Sequence, residues 1–584
     1  MKPLQLATLL CLLIACSKLA AANTEKTYRE GDFVPSYVNN IGPYANPSEL
    51  YPYYTLPFCV PEHIKIENRN TPLGEVLEGD AISNSLYQIQ FKAHVASKTI
   101  CTRSLTGDEV DKFIDAIDRY YYFEFFLDSL PLRGFIGTSE HVGGSVRRYL
   151  FKHLHFEVMY NGNHVIYANV TSDLDRVVEL FPGKEATVDF SYSVHWAPTS
   201  HPYATRMELF QDHFFKQEVE ILWLSIMNSL ALVILLTGFI AVIIMRLKSD
   251  YLRYSRVDEE EDDDDYGWKL VHGDIFRFPK QLNIFCALLG LGAQFLAMAL
   301  CILILALMGL FYPGDHGHMY TTAVILYALT SGIAGWTSAT FFKKFGGEKW
   351  AWNLVVVSLL FAAPTVGVAT VLNAIAHHHQ TTSYVPLGTT VEVFAIWLFV
   401  GFPLTVVGGI AGRRTAAPFS APTRTKNFPR EIPHIPWYRR EAVQVIMSGF
   451  LPFSAIYIEL YYVCSSVWGH HSYTLYGILF LVFIILLIVT ACITIAQTYF
   501  QLSMEDHRWW WRAFFSGGST GFFCYAYAAF YFFFRSNMSG LLQAAFFFGY
   551  MAIFCYCLFI MLGFVGFIAS LAFVKQIYSN IKCD

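Results

Sequence analysis

The sequence predicts a polytopic α-helical membrane protein, with nine transmembrane helices that follow a β-rich lumenal amino-terminal domain. Three observations lead to this fold class. The composition is 54% hydrophobic and only 15% charged, whereas an ordinary soluble domain carries roughly a quarter charged residues. Long apolar runs fill the second part of the chain, and the first residues have the form of a secretory signal peptide.

The amino terminus contains the three parts of a signal peptide. Lys2 precedes an apolar run from Leu4 to Cys16, and a stretch of small residues from Ala20 to Ala22 follows it. The apolar run is too short to cross a bilayer, which requires about 20 residues, so a retained signal anchor is disfavoured. We therefore expect residues 1–22 to be removed and the next segment to enter the lumen.

Residues 23–220 are predicted to form a small β-rich domain with one helix. The predicted strands are Tyr87 to Val95, His153 to Tyr160, His164 to Val170 and Ala186 to His195. Within the second of these strands Leu154, Phe156 and Val158 alternate with other side chains, as in a strand with one buried face. The helix is predicted over Gly107 to Tyr122, with Thr106 as its N-cap.

This domain contains candidate sites for two modifications that are typical of lumenal segments. Cys59 and Cys101 are its only cysteines, so one pairing is possible, and a disulfide between them would close a loop of about 40 residues worth a few kcal/mol. Asn169 begins the sequence Asn-Val-Thr, which is a candidate glycosylation site in a lumenal segment.

Residues 221–574 are predicted to form the transmembrane domain. The nine apolar runs are Leu222 to Met245, Ile284 to Phe311, Thr321 to Phe342, Trp352 to Ile375, Val391 to Ala411, Val443 to Val463, Leu475 to Ala496, Ala513 to Phe534 and Ala544 to Val574. Between the first two lies a cytosolic loop, residues 246–283, with an acidic run from Asp258 to Asp265. A run of like charge favours an extended, solvated linker, and a docking segment for a basic partner is the alternative.

The distribution of Lys and Arg between the loops gives the bundle an orientation. Basic residues are concentrated in alternate connections: Arg246 to Lys280, Lys343 to Lys349, Arg413 to Arg440, Arg508 with Arg512, and the tail of residues 575–584. The other loops contain only Arg535. Because cytoplasmic flanks are enriched in Lys and Arg, this pattern predicts a lumenal amino terminus and a cytosolic carboxyl terminus.

Few side chains in the spans are candidates for chemistry. Glu459 lies inside the sixth span, where an ionisable group suggests a functional role, although a structural hydrogen bond near the lumenal end is an equally simple explanation. In a channel or transporter, Glu459 would line a pathway together with Asn228, Gln294 and Asn353.

The loops predicted to face the lumen are rich in histidine. These residues are His316, His318, His377 to His379, His470 and His471. They suggest metal binding or pH sensing, but no fixed ligand spacing accompanies them, and polar loops also tolerate histidine. We predict no cofactor and no nucleic-acid partner, and we find no motif of an enzyme active site.

Short strings across the whole chain make it resemble the nonaspanins, the transmembrane 9 superfamily. In the amino-terminal part they are Tyr54 to Cys59, Leu73 to Asp80, Tyr121 to Phe125 and Gly134 to Gly137. In the membrane part they are Gly267-Trp-Lys, Asp274 to Pro279, Gly401 to Leu404, Arg424 to Asn427, Gly449 to Phe453, Tyr473 to Gly477 and Arg508-Trp-Trp-Trp-Arg512. Such a series in one order is hard to obtain by chance.

The resemblance implies a Golgi and endosomal membrane protein that sorts or traffics other membrane proteins, with a link to autophagy in the member 1 branch. It also implies that Lys582 and Asp584 in the tail form a retrieval signal for the COPI coat, where an ordinary positive flank of the last span is the alternative. The expected partners are the lipid bilayer, transmembrane cargo proteins and the COPI coat. A channel or transporter, and a lumenal binding module that is merely anchored by helices, are the competing functions.

Overall fold

The computed structural model describes residues 26–60, 72–142, 144–210, 219–254, 267–311, 317–426, 428–434, 436–469 and 475–579. The predicted signal peptide, the acidic run and the tail residues Lys582 and Asp584 lie outside these residues. The described chain consists of a β-rich amino-terminal domain and a bundle of long apolar helices.

Twelve strands form three sheets in the described part of the amino-terminal domain. They are β1 (Ser36–Pro43), β2 (Tyr51–Pro52), β3 (Ser83–Asn84), β4 (Val95–Leu105), β5 (Tyr121–Leu127), β6 (Leu130–Phe135), β7 (Gly137–Val142), β8 (Ser145–Phe151), β9 (His153–Asn161), β10 (His164–Ser172), β11 (Val177–Leu180) and β12 (Ala186–Pro198). One sheet has the order β2-β1-β5-β6 with β3 also on β1, the second has the order β10-β9-β12-β4, and the third has the order β11-β8-β7. In β9, Leu154, Phe156 and Val158 are buried as the alternation predicts.

Two helices belong to this domain, α1 (Leu73–Glu78) and α2 (Gly107–Asp118). Thr106 and Glu109 form a capping box at the start of α2. Each side chain accepts a hydrogen bond from the backbone N–H of the other residue, which would otherwise have no partner within the helix. The predicted helical end at Tyr122 is wrong, because Tyr120 adopts a positive φ of 52° and β5 begins at Tyr121. The strand predicted over Tyr87 to Val95 is also wrong, since a turn with φ of 60° at Lys92 interrupts it.

The bundle contains eleven described helices. They are α3 (Val219–Tyr254), α4 (Leu282–Leu307), α5 (His318–Lys344), α6 (Trp350–His378), α7 (Leu387–Ile396), α8 (Phe402–Thr415), α9 (Glu441–Val467), α10 (Tyr476–Ser503), α11 (Trp509–Gly518), α12 (Thr520–Phe534) and α13 (Leu541–Tyr578). A π-helical segment, Trp397–Gly401, joins α7 to α8, so that Leu387–Thr415 is one continuous span. Among the described residues, eight helical segments are long and apolar enough to cross a membrane.

The ninth predicted span, Ala513 to Phe534, differs from the other eight. It is divided into α11 and α12 at Ser519, directly after Gly517 and Gly518, which are poor helix formers. Neither piece alone has the length of a span. The structure therefore supports a multi-pass bundle, and the ninth crossing stays a prediction.

Glycines allow a close helix crossing between α5 and α8. Gly335 faces the backbone of Thr405, and Gly408 faces the backbone of Gly332, so a side chain at either glycine would push the helices apart. Such close approach between small residues is the usual basis of helix association in membranes. We call the helix ends that contact the amino-terminal domain proximal and the opposite ends distal.

Candidate functional site

Glu459 is the one intramembrane carboxylate that the sequence singled out, and it lies between α9 and α3. Its side chain is 2% exposed. Ser225 Oγ donates to Glu459 Oε1 at 3.1 Å, and one turn along, Ser229 Oγ donates to Ala455 O at 3.0 Å. Glu459 Oε2 has no hydrogen-bond partner among the described residues, so half of the carboxylate remains available to a proton, a water or a ligand group.

The other polar residues proposed for a pathway do not converge on Glu459. Gln294 Nε2 donates to Tyr327 O at 2.9 Å, which ties α4 to α5. Asn353 accepts from Ser338 Oγ at 2.7 Å and donates to Asn283 O at 3.0 Å, so it joins three helices. Asn228 is on the exposed side of α3. Gln294 and Asn353 therefore tie helices together, and the hydrogen bonds of the described residues do not connect either side chain to Glu459.

A polar cluster that sequence reasoning missed lies near the distal ends of α9, α10 and α11. Thr490, Thr494, Thr498 and Gln501 follow one another at helical spacing and form a buried polar face of α10. At its distal end, Gln501 lines a small cavity with room for roughly one water molecule. These side chains recur at helical spacing, so a search of the sequence for hydroxyl and amide residues at that spacing would have found them.

One residue of a buried ion pair, Arg512, also lines this cavity. Arg512 Nη1 lies 2.7 Å from Asp506 Oδ2, and the two side chains are 9% and 1% exposed. Arg512 Nε has no hydrogen-bond partner among the described residues and lies 3.8 Å from a carboxylate oxygen of Glu441. Because a buried charge without its partner is costly, Asp506 is needed to hold Arg512 at this position.

Four of the strings that carry the family resemblance meet in a structured layer at the distal end, which we call the distal cap. It comprises the described residues of 267–280, 416–440, 503–512 and 575–579. Trp509 Nε1 donates to Ile275 O at 2.9 Å, Trp511 Nε1 to Lys280 O at 3.0 Å, and Tyr578 Oη to Trp268 O at 2.6 Å. Two indoles of the Trp-Trp-Trp string therefore have a structural role in the distal cap.

Asp274 organises the other side of the distal cap. Its carboxylate accepts from Arg277 Nη2 at 2.8 Å and from the backbone N of Arg430 at 3.1 Å. Lys426 N donates to Gly273 O at 2.8 Å, so the string beginning at Arg424 packs on the string beginning at Asp274. The connection between α8 and α9 is thereby tied to the connection that precedes α4.

At the proximal end, hydrogen bonds dock the amino-terminal domain onto the bundle. Asn46 Nδ2 donates to Ser539 O at 2.9 Å, while Ser539 N donates to Asn46 Oδ1 at 3.0 Å. Ser48 N donates to Gln543 Oε1 at 2.9 Å, near the start of α13. On α1, the Glu78 carboxylate accepts from Gly317 N at the start of α5. The domain therefore contacts α5 and α13 directly.

The remaining candidate residues of the amino-terminal domain lie apart from this contact. Cys59 and Cys101 are joined as a disulfide, with Cα atoms 6.2 Å apart. Asn169 is half-buried on the edge strand β10, opposite Glu157 of β9. At the start of β9, His153 Nδ1 is 2.8 Å from Ser191 Oγ of β12. Burial, followed by the neighbouring Arg176, lowers the pKa of His153 from its ordinary value of 6.5.

The proximal histidines do not form a metal centre in the described part of the chain. His377 packs against the ring of Tyr384, with centroids 5.1 Å apart, and His378 packs against His379. No group of three or more potential ligands was found among the described residues. His316, His470 and His471 lie outside them, as do both residues of the predicted retrieval signal.

Comparison with known proteins gives the family. The model of the family described as Endomembrane protein 70 matches residues 50–541. The chain is 53% identical to "Putative phagocytic receptor 1b" of Dictyostelium discoideum over 99% of this chain and 98% of that protein. It is 47% identical to transmembrane 9 superfamily member 4 of Arabidopsis thaliana, over 98% and 97% of the two chains. It is 46% identical to member 1 of Bos taurus, over 99% and 97%.

None of these three relatives is named as an enzyme. No solved structure matches the chain significantly. The family resemblance drawn from the short strings is confirmed by matches over nearly the whole length, with member 1 proteins among them. The chain belongs to the transmembrane 9 superfamily and matches the Endomembrane protein 70 model over most of its length.

Proposed function

We propose that this chain is a non-enzymatic, multi-pass protein of Golgi and endosomal membranes that sorts other membrane proteins and promotes their delivery to the cell surface. In this proposal the proximal end and the glycosylated amino-terminal domain face the lumen, and the distal cap and tail face the cytosol. The ninth crossing is made by α11 and α12 together. The proposed link to autophagy is indirect, because membrane proteins that the chain does not route correctly would alter it.

The observation that supports the proposal is that α13 connects the amino-terminal domain with the distal cap. The domain is bonded to the start of α13 through Ser48 and Gln543, and the other end of α13 is bonded to the distal cap through Tyr578. Four residues after Tyr578 comes Lys582, so the tail signal would be presented within about 14 Å of the cap even when fully extended. A chain built in this way is suited to binding cargo on one side and a coat on the other.

The test is quantitative surface labelling of membrane proteins in cells that lack the chain. Restoring the wild-type chain should return a defined set of transmembrane proteins to the surface. Lys582→Ala combined with Asp584→Ala should shift the chain out of the Golgi and reduce COPI binding, whereas Gln576→Ala, on the exposed last turn of α13, should behave as wild type. An unchanged surface population in cells without the chain would refute the sorting role.

A channel or transporter is the second candidate, and the buried polar face of α10 favours it. Thr490 and Gln501 each have a polar atom without a partner among the described residues, which is expensive in a membrane unless water or an ion occupies the site. Ion and proton flux into vesicles that contain the purified chain would test this function. Flux that disappears in Glu459→Gln and in Gln501→Leu would favour transport over sorting.

A further inference from the structure

Six cations gather where α5, α6, α8 and α13 reach the distal end. We call them the distal basic cluster: Lys343, Lys344, Lys349, Arg413, Arg414 and Lys575. None of them lies within 4.0 Å of a carboxylate among the described residues, although the neighbouring Arg277, Arg430 and Arg512 are all paired. Between Lys343 and Lys349 the sequence contains one acid, Glu348, against three lysines. The cluster therefore carries a local excess of positive charge.

The glycine crossing of α5 and α8 forces part of this charge together. Thr340 Oγ1 donates to Gly412 O at 3.3 Å, so the last turns of the two helices stay in contact. One turn further on, Lys343 Nζ donates to Arg413 O at 2.7 Å. The guanidinium carbon of Arg413 lies 4.9 Å from the ring centre of Trp350 at the start of α6. These contacts hold basic side chains of α5 and α8 together beside the start of α6.

Aromatic rings support the other side of the cluster. Lys575 Nζ lies 4.4 Å from the ring centre of Phe419, and Phe419 packs on Phe345 with centroids 5.8 Å apart. Lys344, the residue before Phe345, has its Nζ 5.6 Å from the ring of Phe341. Cation–π contacts of this kind position the ammonium groups without neutralising them. The charges thus remain available to an external anion.

Positive flanks are common at cytoplasmic helix ends. Here the cations come from four helix ends, four of the six are positioned by a backbone carbonyl or an aromatic ring, and none has a carboxylate partner among the described residues. We propose that the distal basic cluster binds the headgroup of a polyanionic phospholipid, such as a phosphorylated phosphatidylinositol, in the cytosolic leaflet. Basic pockets between helix ends suit such headgroups because several cations can contact one phosphate-bearing ring.

The experiment uses the full chain, purified in an uncharged detergent. A fluorescent short-chain phosphatidylinositol 4-phosphate is titrated, with short-chain phosphatidylcholine and inorganic phosphate in parallel arms. Each cation near an anionic headgroup changes affinity by roughly fivefold. Lys343→Gln, Lys344→Gln and Arg414→Gln together should therefore weaken binding by at least about tenfold and reduce its salt dependence.

Two controls separate the site from net charge and from misfolding. Lys98→Gln, Lys112→Gln and Lys184→Gln remove three exposed charges from the amino-terminal domain and should leave binding unchanged. Lys343→Arg with Lys344→Arg keeps the charge and should also bind as wild type. Equal binding by the distal triple variant and the wild type would overturn the proposal. Equally tight binding of inorganic phosphate would overturn its assignment to a lipid.

Discussion

The contact between α4 and α5 offers a test of how tightly the bundle is packed. At Gly290 on α4, an added Cβ would lie 2.6 Å from Ala334 O and 2.8 Å from Ser338 Cβ, whereas ordinary contact begins at 3.4 Å. The helices would have to separate by about 0.8 Å, and gaps of that size forfeit roughly a quarter to a half of each lost dispersion contact. We therefore expect Gly290→Ala to lower the free energy of unfolding by about 1–3 kcal/mol.

Gly367 on α6 provides the matched control, because nothing lies within 4 Å of its added Cβ. Gly367→Ala should be neutral or stabilising by up to about 1 kcal/mol, since alanine is the better helix former. Thermal unfolding in detergent, followed by a dye that reacts with buried thiols such as Cys286, would measure both variants. Equal melting curves for the two variants would refute the reasoning that this crossing has no spare room.

Three further predictions concern the ion pair, the domain and the disulfide. Asp506→Asn should cost about 3–5 kcal/mol in unfolding free energy because it leaves Arg512 buried and unpaired. Glu505→Gln, which breaks a more exposed pair, should cost less than about 1 kcal/mol, and equal costs would contradict this. Because the folded pKa of His153 is lowered, the unfolded chain binds more protons below about pH 6.5, so the domain should lose stability as the pH falls below that value. His153→Gln should flatten this dependence in hydrogen exchange of β9. Cys101→Ser should destabilise the domain by about 4 kcal/mol, since the disulfide closes a 42-residue separation, and wild-type stability of this variant would exclude an entropic role.

The local features of the fold could be predicted from the sequence, because they depend on short-range spacing. The alternation in β9 and the N-cap at Thr106 are each visible within a few residues. The apolar runs likewise predict the eight continuous spans. The break at Ser519 was not predicted. Apolar residues continue on both sides of it, and a hydropathy pattern records how apolar a segment is but not whether its helix is continuous.

The candidate sites were harder to predict because their contacts are distant in sequence. Ser225 reaches Glu459 across 234 residues, and Tyr578 reaches Trp268 across 310 residues. Single-sequence patterns identify a buried acid or an aromatic string, but they do not show which segments meet. For that reason Glu459 was recognised as a candidate while its partner on α3 was not, and the polar cavity beside Gln501 was missed altogether.

The strings that carry the family resemblance have a structural explanation before they have a functional one. Trp509 and Trp511 use their indole N–H groups on backbone carbonyls of the distal cap, and Asp274 uses its carboxylate on the segment after α8. These groups are fully engaged in holding connections together, so they have little capacity left for a ligand. A functional assignment must rest on side chains that packing leaves available. At the distal end of the described chain these are the cations of the distal basic cluster, which have no carboxylate partner there, and within the bundle they are Glu459 and the donors beside the cavity.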